Sequence, residues 1–229
     1  NEVGTLEPVE ALCRLAHAHD ILFHTDAVQA AGHIPVDAEK LGVDYMTVAA
    51  HKFHGPKGMG ALYIRKGAPL HPFITGGEQE RDLRAGTHNV PGAVGMACAM
   101  EEAVKNMEED VSRITALRDK LIEGILAAVP DTRLNGPRQN RLPQNVSFGF
   151  PGVAADRLLM LLDRHGLAAS SGSACLAGSL EPSHVLLAMG RTEREARSAL
   201  RLSLSRCTLE SEIETAMTLI PACVGLLKK

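Results

Sequence analysis

The sequence predicts an α/β fold, because helical and strand-like segments alternate along the first part of the chain. The helical segments repeat apolar side chains at a spacing of three or four residues, and the strand-like segments are short apolar runs. In order, these elements are helix 6–20, strand 21–25, helix 36–42, strand 45–50 and strand 61–65. Alternation of this kind is typical of a sheet that contains parallel strands and carries helices on its faces.

The second part of the chain predicts a smaller α+β unit. A long helical pattern leads into it, with apolar residues from Met96 to Ile125, and ends before Pro130. After it come strand 144–150, helix 153–166, a short strand that opens into a loop of small residues within 167–183, strand 199–205 and helix 208–227. A boundary placed inside the long helix gives a large domain at 1–103 and a small domain at 104–229.

Composition excludes several classes of protein. The 229 residues include 24 basic and 27 acidic side chains, so no cationic excess favours nucleic acid as a partner. No apolar run reaches the roughly 18–20 residues that a membrane helix needs, and no secretory signal is visible. The five cysteines form no CxxC pair and no metal-ligand spacing, which predicts free thiols, no bound metal and a cytoplasmic protein.

Two reactive side chains directly follow predicted strands. Asp26 follows the first strand, and Lys52 follows the second and precedes a glycine- and proline-containing turn. The carboxyl ends of parallel strands are where such folds collect functional groups. A lysine held there suits covalent chemistry with a carbonyl compound, whereas the ordinary alternative is a solvated lysine. For Asp26 the ordinary alternative is a helix N-cap.

A third candidate is Cys175, which lies in the segment SSGSAC. Small neighbours suit a thiol that must reach out and retract, whereas a structural cysteine more often has larger apolar neighbours. We expect the other four cysteines to be small buried hydrophobic residues. Most histidines, His33 among them, show no ligand spacing and are expected to be surface or satisfied core residues.

Six segments occur in the order found in cysteine desulfurases of the NifS/IscS type. They are HTDAVQ, AAHKFHGPKG, EQERDLRAGT, NVSF, SSGSAC with GSLEPSHVL, and RLSLSR. The chain therefore resembles these enzymes, which are class V aminotransferase-like, fold-type I enzymes that use pyridoxal 5′-phosphate. The resemblance implies part of the large, mostly parallel cofactor-binding domain followed by the smaller C-terminal domain with the cysteine loop. It also implies a C-terminal portion that lacks the part preceding Asn1.

The resemblance assigns roles to single residues. Lys52 resembles the lysine that carries the cofactor, and Cys175 resembles the cysteine that forms the persulfide. Asp26 resembles the partner of the ring nitrogen, and Gln29 the partner of the phenol oxygen. His51 resembles the histidine on the phosphate side of the cofactor.

Three further residues resemble groups that complete the site. Thr87 resembles a threonine that reaches the phosphate of the neighbouring subunit, which implies a homodimer. Arg201 resembles the arginine that binds the substrate carboxylate with two hydrogen bonds. Asn1 resembles an asparagine near both the cofactor and the substrate carboxylate.

The sequence departs from this pattern near the phosphate. Ala49 stands where such enzymes usually have a serine that donates to the phosphate. Glu78 and Asp82, in the polar loop 76–87, stand where uncharged residues are usual. Two extra carboxylates near a phosphate weaken its binding unless they point away.

The implied function is removal of sulfur from L-cysteine, which yields L-alanine and a persulfide on Cys175. An iron–sulfur cluster scaffold or another acceptor protein would then take the sulfur. Two alternatives stay open from the sequence. One is a selenocysteine lyase or another class V aminotransferase-like enzyme, and the other is a catalytically silent truncated chain.

Overall fold

The structure, a computed structural model, describes residues 1–172 and 181–228. The chain divides into two compact units. Unit I comprises residues 7–107, and unit II comprises residues 1–6 together with 108–229. The domain assignment made from the sequence stays a prediction, and it did not anticipate that the first six residues join the second half of the chain.

Unit I is built on a three-stranded sheet in the order β1-β2-β3. Its elements are helix α1 (Val9–His17), strand β1 (His24–Asp26), helix α2 (Ala38–Leu41), strand β2 (Tyr45–Ala49), strand β3 (Gly60–Ile64) and helix α3 (Val90–Lys105). β1 and β2 are parallel, and β3 runs antiparallel to β2. The predicted parallel pair is therefore present, within a sheet of mixed direction.

Local signals explain the ends of the first two helices. Helix α1 is shorter than the predicted 6–20, since Pro8 precedes it and Asp20 adopts a left-handed φ of 56°. Helix α2 begins where the carboxylate of Asp37 accepts hydrogen bonds from two main-chain amides. It ends at Gly42, whose φ of 75° is the left-handed conformation that glycine adopts readily.

The single long helix predicted across the middle of the chain is wrong. The structure ends α3 at Lys105 and begins α4 at Met107. Between them, the side-chain amide of Asn106 donates to the carbonyl oxygen of Glu102 at 2.9 Å and to its carboxylate at 2.7 Å. Because asparagine side chains compete in this way for local backbone groups, the helix is interrupted there.

Unit II contains an antiparallel sheet in the order β4-β5-β6, with helices packed against it. Its elements are α4 (Met107–Ala128), β4 (Arg133–Leu134), β5 (Asn145–Gly149), α5 (Ala155–Arg164), α6 (His184–Ala188), α7 (Glu193–Ala196), β6 (Ala199–Ser203) and α8 (Glu210–Leu227). The main core of unit II is one continuous cluster to which the sheet and helices α4, α5 and α8 all contribute. The short elements β4, α6 and α7 were not predicted from the sequence.

The first six residues lie against unit II as an extended segment. The amide of Leu142 donates to the carbonyl of Gly4 at 2.7 Å, and the amide of Leu6 donates to the carbonyl of Asn140 at 2.9 Å. The buried guanidinium of Arg141 donates to the carbonyl of Val3 at 2.9 Å. Burial lowers the pKa of Arg141 to about 10, yet the group stays charged at neutral pH. Main-chain carbonyls therefore hold this buried cation.

In the part of the chain that the structure describes, no helix is long and apolar enough to cross a membrane.

Candidate functional site

The two predicted strand-end residues of unit I lie at one edge of its sheet. Asp26 is the last residue of β1 and pairs with Thr47 of β2. β2 continues to Ala49, and Lys52 follows in a 3-10 turn, Ala50–Phe53. Since β1 and β2 are parallel, both segments leave the sheet at its carboxyl edge. The placement expected from the sequence is found, and the roles of the two residues stay predictions.

One face of the sheet carries the polar side chains next to this edge. The ring of His24 lies 3.4 Å from the hydroxyl of Thr47, so these two side chains share a face. Side chains alternate along a strand, and Asp26 and Ala49 therefore belong to the same face. The opposite face, which includes Met46, packs on the core of unit I.

The carboxylate of Asp26 is exposed and partly engaged. Its Oδ1 accepts a hydrogen bond from the amide of Val28 at 2.8 Å, which shapes the turn that follows β1. The ordinary interpretation of Asp26 as a helix N-cap is not confirmed, because a turn and not a helix follows β1. Among the described residues, however, none donates to its second oxygen, so the carboxylate keeps an acceptor that faces solvent.

Lys52 lies on a turn whose apolar residues face inward. Ala50 and Phe53 are fully buried, whereas His51 is exposed and Lys52 is half-buried. The amide of Ala50 donates to the carbonyl of Met59 at 3.0 Å, which ties the start of the turn to the segment that leads into β3. The turn therefore directs His51 and Lys52 away from the core of unit I.

The turn is closed by a tight reversal. His54 adopts a left-handed φ of 67°, and the amide of Gly55 donates back to the carbonyl of Ala50 at 2.8 Å. A Cβ atom at Gly55 would lie 2.8 Å from the Cβ of Ala50, so only glycine fits there without a shift. This close approach gives the stiffness that the HGPKG segment predicts.

His33 was classed from the sequence as an ordinary surface or core histidine, and the structure gives it a specific contact. Its Nε2 atom lies 2.8 Å from the carbonyl oxygen of Lys52. No sequence motif signals a contact of this kind, because it joins a side chain to a main-chain atom 19 residues away.

The other predicted cofactor contacts of unit I lie in loops. Gln29 is half-buried in the turn after Asp26 and is engaged by neighbouring groups. Thr87 is exposed, directly after Gly86, whose amide donates to the side chain of Gln79 at 3.0 Å. The structure gives no contact between Thr87 and the strand-end residues.

The acidic side chains of the same loop are exposed. Glu78 and Asp82 both lie at the surface, and the consecutive residues Glu80, Arg81 and Asp82 all adopt left-handed φ angles between 52° and 63°. Left-handed backbone in residues other than glycine stores strain.

Unit II brings together the two residues predicted to bind the substrate carboxylate. Arg201 lies in β6, and its Nη1 donates to the carbonyl oxygen of Asn1 at 3.0 Å. The side chain of Asn145 also donates to this oxygen, at 3.3 Å. The main chain of Arg201 exchanges two hydrogen bonds with Ser170. The carbonyl of Asn1 therefore accepts from two side chains, and Ser170 holds the main chain of Arg201.

A buried carboxylate that the sequence did not single out lies beside this group. Glu2 is only 3% exposed, and its Oε2 accepts a hydrogen bond from the hydroxyl of Ser183 at 2.5 Å. The same hydroxyl accepts from the amide of Leu186 at 3.2 Å and so caps α6. A Cβ atom at Gly172, which has a φ of 104°, would lie 3.2 Å from Oε2. Cys175 itself lies outside the described residues.

The remaining cysteines differ in exposure. Cys13 and Cys223 are buried, as expected, and burial raises the pKa of both thiols. Cys98 and Cys207 are exposed, so the expectation of buried thiols is wrong for these two. Within residues 1–172 and 181–228, no group of His, Cys, Asp and Glu side chains could hold a metal ion.

Comparisons with known proteins agree with one another. A "Cysteine desulfurase IscS" of Dictyoglomus turgidum is 46% identical over 228 residues, which cover 100% of this chain and 58% of that protein. A "Cysteine desulfurase NifS" of Azotobacter vinelandii is 45% identical over 228 residues, which cover 100% of this chain and 57% of that protein. The chain therefore spans a little over half the length of these relatives.

A solved structure titled "NIFS-LIKE PROTEIN" superposes with a TM-score of 0.88 at 41% identity, over 98% of this chain and 58% of that one. The profile of the family described as "Aminotransferase class-V" matches residues 1–215. That match covers most of the chain, including both strand ends of unit I and the Arg201 group of unit II. The chain thus belongs to the aminotransferase class-V family.

Proposed function

We propose that the protein is a pyridoxal-phosphate-dependent cysteine desulfurase that converts L-cysteine into L-alanine and leaves the sulfur as a persulfide on Cys175. The observation that carries the proposal is the arrangement of Asp26 and Lys52 after adjacent parallel strands. The names of the similar proteins from Dictyoglomus turgidum and Azotobacter vinelandii support it.

The residues present fit pyridoxal phosphate. Its ring nitrogen, when protonated, needs an anionic acceptor, and Asp26 retains a carboxylate oxygen that accepts nothing from the described residues. Its aldehyde needs an amine on a rigid segment, and Lys52 stands on a turn fixed at both ends by main-chain hydrogen bonds. Its phosphate needs donors, for which His51 is exposed beside Lys52. The side-chain amide of Gln29 would donate to the phenol oxygen.

In the proposed reaction, Asp26 and Lys52 of unit I have separate roles. When bound, pyridoxal phosphate withdraws electrons from the substrate carbon that loses its proton. The negative charge of Asp26 favours the protonated ring nitrogen, because opposite charges at close range stabilise each other. The amine of Lys52, in its neutral form, accepts the proton from the Cα atom of L-cysteine.

Unit II supplies the groups that hold the substrate and take its sulfur. The guanidinium of Arg201 presents parallel N–H groups that suit a carboxylate, and the carbonyl of Asn1 fixes one end of it. The thiolate of Cys175 attacks the sulfur of L-cysteine, so a sulfur–sulfur bond forms and the carbon–sulfur bond breaks. The carbon atom keeps the electron pair and takes up a proton, and the products are L-alanine and the persulfide.

The same proposal includes the domain organisation, the oligomeric state, the cellular compartment and the sulfur acceptor. Residues 1–103 would form part of the large domain of a fold-type I enzyme, and residues 104–229 its small domain. The protein would act as a homodimer, with Thr87 reaching the phosphate held by the neighbouring subunit. It would work in the cytoplasm and pass its sulfur to an iron–sulfur scaffold or another acceptor protein.

The test is a turnover assay with L-cysteine and pyridoxal phosphate, in which L-alanine is quantified and the persulfide is located by peptide mass spectrometry. We expect alanine and a persulfide on Cys175, and we expect Cys175→Ser to remove both. Cys98→Ser and Cys207→Ser are matched controls, because both thiols are exposed, and they should retain activity. Lys52→Ala should abolish the borohydride-reducible cofactor adduct as well as turnover.

Other outcomes separate the alternatives. Alanine formation that survives Cys175→Ser would contradict the desulfurase mechanism and favour a selenocysteine lyase or another class V relative. A wild-type protein that forms no adduct and no alanine would favour a silent chain.

A further inference from the structure

The carbonyl oxygen of Lys52 has no main-chain partner among the described residues. It lies near the end of the 3-10 turn, where the amides of His54 and Gly55 both turn back to the carbonyl of Ala50. Carbonyls at the end of a helical turn are left without intrahelical donors and need a partner from elsewhere. The imidazole of His33 supplies it, at 2.8 Å from Nε2. Because a carbonyl only accepts, Nε2 must carry the hydrogen.

His33 is itself held in place. It lies at the end of the turn that begins after Asp26, and its amide donates to the carbonyl of Ala30 at 2.9 Å. The preceding residue, Gly32, has a φ of 78°, and a Cβ atom there would lie 2.5 Å from the Cβ of Phe53. The turn after β1 therefore contacts the 3-10 turn after β2 at two consecutive residues. The backbone of Gly32 packs on Phe53, and the imidazole of His33 binds the carbonyl of Lys52.

We propose that His33 is a positioning residue for Lys52. The imidazole of His33 fixes the peptide group of Lys52, and it so joins the turn that follows Asp26 to the turn that carries Lys52. The proposal rests on the proposed function, since it takes Lys52 as the residue that binds pyridoxal phosphate.

The direct test compares His33→Leu with His33→Gln. Leucine removes the donor and leaves the Lys52 carbonyl without a partner, whereas the amide nitrogen of glutamine reaches about as far as Nε2 and donates as well. We expect the dissociation constant of pyridoxal phosphate to rise about tenfold in His33→Leu, the effect of one lost hydrogen bond at a positioned group. His33→Gln should restore it to within about threefold of wild type.

The control is His19→Leu, since His19 is exposed in the same unit and its side chain makes no hydrogen bond to any of the described residues. It should bind pyridoxal phosphate like wild type. Urea unfolding of all three variants separates a lost position from a lost fold. His33→Leu with wild-type cofactor affinity would overturn the proposal, as would a Gln variant that binds no better than the Leu variant.

Amide hydrogen exchange without cofactor gives a readout that does not depend on the proposed function. The amides of His54 and Gly55 bond to the carbonyl of Ala50, and they should exchange about tenfold faster in His33→Leu and near the wild-type rate in His33→Gln. If wild type forms no adduct at Lys52, the proposed function is wrong. The exchange rates then still support or overturn the tie between His33 and the Lys52 turn.

Discussion

The two units differ in how they are held together. In the described part of unit II, the main apolar cluster contains 20 buried residues, and the sheet and the three longest helices all contribute to it. A second cluster there contains four. Unit I has two small clusters, with four and three buried residues. Burial of apolar surface is the main stabilising term in folding, so unit II has much the larger share of it. Unit I, which carries the predicted cofactor lysine, depends more on polar contacts.

One group of these polar contacts surrounds Asp44 at the amino end of β2, opposite to the edge that carries Lys52. Asp44 is fully buried, and its Oδ2 accepts hydrogen bonds from His17 at 2.8 Å and from the amide of Phe23 at 2.7 Å. Arg65 pairs with Oδ1. Burial alone raises the pKa of Asp44, but the hydrogen bonds from His17, Phe23 and Arg65 outweigh it and hold the pKa below its usual value.

An alanine substitution in the larger core should reduce the difference in stability between the two units. Leu158 of α5 is fully buried, and Leu158→Ala should lower the free energy of unfolding of unit II by about 2–5 kcal/mol, because it leaves a cavity. The chain has no tryptophan and two tyrosines, Tyr45 and Tyr63, which both lie in unit I. We therefore expect urea unfolding followed by far-UV circular dichroism to shift, while the tyrosine fluorescence transition stays in place.

Met160→Ala is the matched control, since Met160 lies on the same helix and is 63% exposed. It should change neither transition by more than about 0.5 kcal/mol. A tyrosine transition that shifts together with the circular dichroism signal in Leu158→Ala would mean that the two units unfold as one cooperative body. The contrast between a strong and a weak unit would then fail.

The second largest effect on stability is expected at Asp44, which holds His17, Phe23 and Arg65 together in unit I. Asp44→Asn keeps the size of the side chain but removes its charge and turns a donor towards groups that themselves donate. Hydrogen bonds to charged groups contribute about 1.5–3 kcal/mol, so we expect a loss of about 2–3 kcal/mol in the transition that tyrosine fluorescence reports. The circular dichroism transition of unit II should move much less.

The pH dependence of the same variant sharpens the comparison. The folded pKa of Asp44 is lowered relative to an unfolded value of about 3.9, so its stabilisation is complete above about pH 4 and is lost as the pH falls further. Wild-type unit I should therefore weaken steeply in acid, and Asp44→Asn should weaken less. Asp82→Asn, which changes an exposed acid of the same unit, should behave like wild type. Equal acid sensitivity in Asp44→Asn and wild type would contradict the stabilisation of unit I by the carboxylate of Asp44.

The sequence predicted the strand ends of unit I well for a physical reason. Asp26 and Lys52 directly follow apolar runs, and neighbouring parallel strands deliver their last residues to one edge. The break at Asn106 was missed because apolar spacing continues across it, whereas the interruption depends on one side-chain amide. Helix α7 was missed although Thr192 and Glu195 form a capping box, a signal that the sequence does contain.

Contacts between distant residues could not be predicted from the sequence. The buried pair of Glu2 and Ser183 joins residues 181 positions apart, and Arg141 reaches the carbonyl of Val3 across 138 positions. No local pattern announces such partners, and the same holds for the imidazole of His33 on the Lys52 carbonyl. The candidate residues were therefore visible in the sequence, but the distant side chains that contact their segments were not.

The smallest effect we predict is a gain of function in unit I that leaves unit II unchanged. Ala49 ends β2 on the face that carries Asp26 and stands where the resemblance implies a serine that donates to the phosphate. Ala49→Ser should strengthen binding of pyridoxal phosphate about tenfold, or about 1.4 kcal/mol, in a titration of the cofactor's visible absorbance. Pyridoxal, which lacks the phosphate, is the control ligand, and its affinity should stay the same. An equal gain for both ligands would mean that the serine stiffens the turn before Lys52 instead of contacting the phosphate. The low stability of unit I would then limit the binding of pyridoxal phosphate at Asp26 and Lys52. Its small apolar clusters and its dependence on Asp44 indicate the same low stability.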